Sequence, residues 1–88
     1  DKLQALQELL VNNDYQLQQI ACMGDDWPDL LVMRRVGLSL TVPNAHATVQ
    51  EYADWTSQRM GGEGAVREAC DLLMRAQNTF ADALAHYL

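Results

Sequence analysis

Apolar residues recur at helical spacing near the start of the chain, where Leu3, Leu6, Leu9 and Leu10 share a face opposite Gln4, Gln7, Glu8 and Asn12. That spacing predicts an amphipathic helix over residues 2–13, ended by Asn12-Asn13-Asp14. A polar connector, 15–19, leads into Ile20-Ala21-Cys22-Met23, a run too short for periodicity to separate helix from strand. Its abrupt end at Gly24 and a burst of acids suits a buried parallel strand. Residues 28–36 read as a second helix, with Pro28 in its first turn, Arg34 and Arg35 near its C-terminus and Gly37 as its stop. Leu38-Ser39-Leu40-Thr41-Val42 alternates as a strand does and closes at Pro43-Asn44. A short helix over 45–53 and a brief strand over 54–58 follow, then Gly61-Gly62-Glu63-Gly64 opens a helix over residues 65–76. Thr79-Phe80-Ala81-Asp82 resembles a capping box that starts a last helical turn or two.

This order, helix and strand alternating throughout, predicts an α/β fold: a partial, Rossmann-like parallel sheet with flanking helices and right-handed crossovers. The 88 residues suffice for one small domain, 1–88, with no internal repeat or linker.

The carboxyl end of the first strand is where open α/β sheets bind ligands. Asp25, Asp26 and Asp29 crowd that corner. Adjacent carboxylates repel, so a cation or a basic partner is expected among them, and hard oxygen donors suit Mg²⁺. A plainer reading stands beside this one, with Asp26 a helix cap and Asp25 a solvated turn residue.

The net charge of −6 argues against a grip on nucleic-acid phosphates or on anionic lipid. No apolar stretch is long enough to span a bilayer, and no leader pattern is present, so a soluble cytoplasmic protein is expected. Cys22 and Cys70 form no Cys-x-x-Cys pair and have no His cluster beside them, which favours reduced structural thiols. His46 and His86 lack partners at ligand spacing and read as surface residues, and Trp27 reads as a packing residue. The chain opens at Asp1 without a methionine, as a processed, trimmed or partial chain would.

Three motifs together, Gly24-Asp25-Asp26-Trp27-Pro28-Asp29, Val36-Gly37-Leu38-Ser39 and Gly61-Gly62-Glu63-Gly64-Ala65-Val66-Arg67-Glu68, resemble the haloacid dehalogenase superfamily. More narrowly, they resemble the carboxy-terminal half of its capless 3-deoxy-D-manno-octulosonate 8-phosphate phosphatases. The resemblance implies a Mg²⁺-dependent sugar-phosphate phosphatase serving lipopolysaccharide precursor synthesis. Asp25 would bind the metal, with Asp26 and Asp29 completing the acidic corner through direct, water-mediated or lysine contacts. Lys2 would be the lysine that steadies the phosphoryl oxygens. It further implies a homotetramer in which Gly61, Gly62, Gly64 and Arg67 serve substrate or subunit contact. Glu63 stands where relatives commonly carry a basic residue, which weakens a cationic role for that loop. The superfamily's nucleophile lies on an Asp-x-Asp motif, and none occurs in this sequence. An amino-terminal portion bearing the nucleophile is therefore expected to be absent, and the 88 residues alone to be inactive. Two alternatives remain: action on a related nine-carbon sugar acid phosphate, and a non-catalytic, phosphatase-like oligomerisation module.

Overall fold

A computed structural model describes residues 1–88, which form five α-helices and three strands besides two short 3-10 turns. In chain order the helices and strands are α1 (Lys2–Asn13), β1 (Ala21–Met23), α2 (Leu30–Met33), β2 (Leu38–Thr41), α3 (Ala47–Tyr52), β3 (Trp55–Thr56), α4 (Ala65–Ala76) and α5 (Phe80–Ala85). The three strands form one parallel sheet in the order β1-β2-β3. Ala21 faces Leu38 and Met23 faces Leu40, while Leu40 faces Trp55. This is the α/β architecture the alternating pattern predicts, with helices as the crossovers. With strands in sequential order, right-handed crossovers set α2 and α3 on the same face. The core lies there: Met33 of α2, Val42 and Ala45 beyond β2, Val49 of α3 and Ala65 of α4 pack together, with Cys22, Met23 and Leu30 against them.

Local differences from the sequence reading have identifiable causes. The first strand is not buried: Ala21 is exposed and Cys22 and Met23 are half-buried, because β1 pairs only with β2 and its other flank has no neighbour. The helix expected over 28–36 is a 3-10 turn, Trp27–Asp29, running into the single turn of α2. Arg34 nonetheless ends that helix, and its guanidinium lies 4.9 Å from the centre of the Tyr52 ring. Of the leucine face of α1 only Leu6 is fully buried. At the start of α5 no capping box forms, since the Thr79 hydroxyl donates back to the Met74 carbonyl and caps nothing ahead of it.

Gly37 does not act as a left-handed helix stop. It is glycine because the connector passes against it: a Cβ there would lie 2.2 Å from the Gln18 carbonyl oxygen. The Gly37 N–H donates to the Leu17 and Ile20 carbonyls, which locks that connector to the entry of β2. At the same end of the sheet, the buried Ser39 donates from both its N–H and its hydroxyl to the Asp54 carboxylate, at 2.9 and 3.1 Å. That pair satisfies the polar side chain in the middle of the sheet. No helix is long and apolar enough to cross a membrane.

Candidate active site

The carboxyl ends of β1 and β2 open into a cleft of about 340 Å³, walled by Lys2, Gly24, Asp25, Asp29, Gly61 and Gly62 among others. Each wall is held by a local device. Gly24 leaves β1 with its N–H on the Leu40 carbonyl at 3.0 Å, and its own carbonyl accepts the Thr41 hydroxyl at 2.8 Å. Its dihedrals are not left-handed; what Gly24 supplies is room. A Cβ at this position would stand 2.4 Å from the Asp29 Cβ and 2.9 Å from its Oδ2.

The three carboxylates have different tasks. Asp26 is the N-cap, as the plainer reading has it: its Oδ1 accepts the Trp27 N–H at 2.8 Å. Asp29 is buried, and its Oδ2 accepts the N–H groups of Asp25 and Asp26 at 2.9 and 3.2 Å, while its Oδ1 pairs with the Lys2 ammonium. Asp25 is exposed, and its carboxylate alone takes no part in these hydrogen bonds. Lys2 comes from the first turn of α1 and reaches across the chain, so the helix start and the acidic corner meet as one unit.

The electrostatics follow from these contacts. Burial pushes the Asp29 carboxyl up, but Lys2 and the two backbone donors outweigh it and hold the group below the usual carboxylate range. Lys2 is raised in turn by the hydrogen bond and charge of Asp29. The Cys22 thiol beneath the corner is pushed up by burial and then by Asp29, so it stays protonated, and both cysteines are free.

Stability contributed by Asp29 is thus fully present above its unfolded pKa of about 4 and disappears as pH falls through the depressed folded value. Lys2 runs the other way, losing its contribution only as pH rises through its raised value. Thermal melts of the protein and of Asp29→Asn, taken between about pH 7 and about pH 2, are expected to converge in acid. A gap that stays constant down to the acid limit would show that the Asp29 pairing contributes nothing.

The glycine-rich segment enters from the opposite side. Gly61 donates its N–H to Asn44 Oδ1 at 2.7 Å, tying the loop to the end of β2. Gly62 and Gly64 hold φ of 83° and 98°, a region that side chains with a Cβ avoid. Beyond them Glu68 folds back on the Gln58 and Arg59 N–H groups, which hold its carboxyl below the usual range. Lys2, Asp25, Asp29, Gly61 and Gly62 therefore share the cleft. Asp26 and Gly64 stand behind its wall, and Arg67 lies in a separate groove with Asp71 and Phe80 between α4 and α5.

No three Asp, Glu, His or Cys side chains converge closely enough to hold a metal ion on their own. One free carboxylate at a strand end still fits Mg²⁺, which takes few protein ligands and keeps water and substrate oxygens in its shell. Sequence reasoning missed the Thr41 contact and the part played by His46, whose ring nitrogen caps α3 and accepts from Trp27. Histidine is outside the usual capping set, so nothing in the pattern marks it.

A buried, lysine-paired aspartate beside a free one, at the carboxyl end of a parallel strand, sets an ammonium suited to a phosphate beside a carboxylate suited to a hard cation. The family comparison agrees: residues 1–68 match the model of the haloacid dehalogenase-like hydrolases, and the chain belongs to that family. It is 45% identical over 83 residues to the 3-deoxy-D-manno-octulosonate 8-phosphate phosphatase of Yersinia pestis, covering 94% of this chain and 44% of that protein. Among solved structures, a Legionella pneumophila chain assigned to subfamily III A of the superfamily superposes with a TM-score of 0.94 at 45% identity, over 99% of this chain and 48% of its own. The Moraxella catarrhalis 3-deoxy-D-manno-octulosonate 8-phosphate phosphatase, solved with magnesium, phosphate and KDO, gives a TM-score of 0.91 at 39% identity, over 100% of this chain and 51% of its own. This chain thus spans about half the length of the relatives it matches.

Proposed function

We propose that these 88 residues are the carboxy-terminal half of a Mg²⁺-dependent phosphatase that removes the phosphate from 3-deoxy-D-manno-octulosonate 8-phosphate in the cytoplasm. The observation that carries this reading is the cleft itself, where the Lys2–Asp29 pair stands beside the free Asp25 carboxylate. Asp25 would hold the cation, and Lys2 would face the phosphate. A magnesium ion bound there would supply charge neutralisation for phosphoryl transfer. Lys2 has three ammonium protons and gives one to Asp29, so donors remain for phosphoryl oxygens. Asp29 keeps Lys2 charged and fixed while its other oxygen pins the Asp25 and Asp26 amides, so the corner is organised before substrate arrives.

The nucleophile comes from outside these residues, which contain no Asp-x-Asp. The loop at 61–64 serves the mouth of the site or a subunit boundary of a homotetramer, where its glycines let substrate or another backbone approach.

The test is phosphate release by the catalytically complete protein from the eight-carbon substrate and from a nine-carbon sugar acid phosphate, with and without chelator. Chelator-sensitive turnover that favours the eight-carbon compound is expected, with none from the 88 residues alone. Preference for the nine-carbon compound would overturn the substrate, and turnover by the 88 residues alone would overturn the division of labour. Absence of any chelator-sensitive turnover in the complete protein would leave the non-catalytic module as the correct description.

A further inference from the structure

His46 lies outside the cleft wall, yet two hydrogen bonds connect it to the corner that carries Asp25 and a third to the start of α3. Its backbone N–H donates to the Asp25 carbonyl at 3.0 Å. Its Nδ1 accepts the indole N–H of Trp27 at 3.1 Å and the Thr48 N–H, also at 3.1 Å, at the start of α3. The two rings meet edge to face with centroids 5.2 Å apart. Two donors converge on Nδ1, so the ring proton sits on Nε2, and the imidazole is held in one tautomer and one orientation. Thr41 holds the preceding carbonyl, that of Gly24, from the other side.

We propose that His46 is a positioning residue for Asp25: through Trp27 and its own amide it clamps the Asp25–Trp27 turn to the N-terminus of α3, and so fixes where the free carboxylate points. The alternatives are weaker on geometry. Asp29 fixes the two amides of this turn, and Asp26 caps it, but neither contact reaches from the turn to the β2–α3 loop. Only His46 bridges the turn to that loop by both its amide and its side chain. Trp27 is 59% exposed, and α3 is short, so neither is anchored there by burial of the indole.

The inference rests on the phosphatase reading for its functional consequence, though the clamp can be observed without it. Two variants of the complete protein, His46→Ala and His46→Asn, separate the roles, because asparagine places an acceptor near the position of Nδ1 and alanine does not. The alanine variant is expected to lower kcat by about 10-fold to 100-fold and to raise the Mg²⁺ concentration for half-maximal rate, since small misplacements of a reacting group have effects of this size. The asparagine variant is expected to recover most of both. The Trp27 indole proton, followed by NMR in a Trp55→Phe background, should exchange slowly in the parent and the asparagine variant and fast in the alanine variant.

Unchanged kcat and Mg²⁺ dependence in His46→Ala would overturn the proposal, as would equal defects in the two variants. An indole proton that exchanges as slowly in His46→Ala as in the parent would also overturn it. If the parent shows no phosphatase activity, the functional reading falls, while the indole proton still decides whether the clamp exists.

Discussion

Replacing Asp25 with asparagine is expected to lower Mg²⁺-dependent phosphatase turnover of the complete protein by about 100-fold, the scale on which one preorganised electrostatic group is felt. The far-ultraviolet circular dichroism should not move. Asp25 is exposed and its carboxylate supports no hydrogen bond of the corner, so the amide costs the fold nothing. What it removes is the formal charge that a hard cation requires. The same change at Asp29 would be ambiguous, because that carboxylate carries Lys2 and two backbone donors as well. Turnover within about 3-fold of the parent would remove Asp25 from the metal site, since a lost ligand charge is worth far more than that.

The second large effect is expected from Gly24→Ala. A methyl group there meets the Asp29 Cβ, Cγ and Oδ2 at 2.4, 2.8 and 2.9 Å, and Asp29 cannot step aside without releasing Lys2 and the Asp25 and Asp26 amides. Overpacking of this kind costs about 1–3 kcal/mol. The displacement also undoes the cleft, so activity should fall by about 100-fold, as it does when a reacting group moves by roughly 1 Å. Denaturant melts and phosphate-release assays on the same preparation check both halves. Alanine accepted with full stability and full turnover would mean that Asp29 is not packed against Gly24.

How far the sequence carries is clearest at this corner. Apolar periodicity locates α1, β2 and α4, while β1 is marked by the glycine and acids that end a short apolar run, and those acids at a strand end locate the cleft. The motif at 24–29 therefore indicates where Asp25, Asp26 and Asp29 lie, whereas Lys2 is indicated only by the family resemblance. It does not assign the tasks of the three acids. That division depends on which carboxylate turns inward, which is set by the absence of a Cβ at Gly24 and the reach of Lys2 across 27 positions. The reasons for the glycines are hidden for the same cause. Gly24 and Gly37 look like turn residues in sequence, and both are close approaches between segments distant in the chain. Short-range patterns likewise overextend the helix at 28–36, because a 3-10 turn and one α-turn present the same apolar run as a longer helix. His46 is invisible for a further reason: a bridging side chain has no period.

The bare flank of β1 makes the stability of these 88 residues a matter of mass action. The sheet ends there with a half-buried strand, the molecule is only 18 Å through its thinnest dimension, and just eight apolar side chains are fully buried. Whatever strand covers that flank, whether from a preceding segment or from another copy, binds the folded state and not the unfolded one. At a concentration about 100 times its dissociation constant, such a strand adds about 2.7 kcal/mol, a large share of what a small domain has in total. A strand joined in the same polypeptide is present at a high and fixed effective concentration, whereas one on a separate molecule is lost on dilution. For these 88 residues in isolation, the free energy of unfolding is accordingly not one number but a function of what else is in the solution.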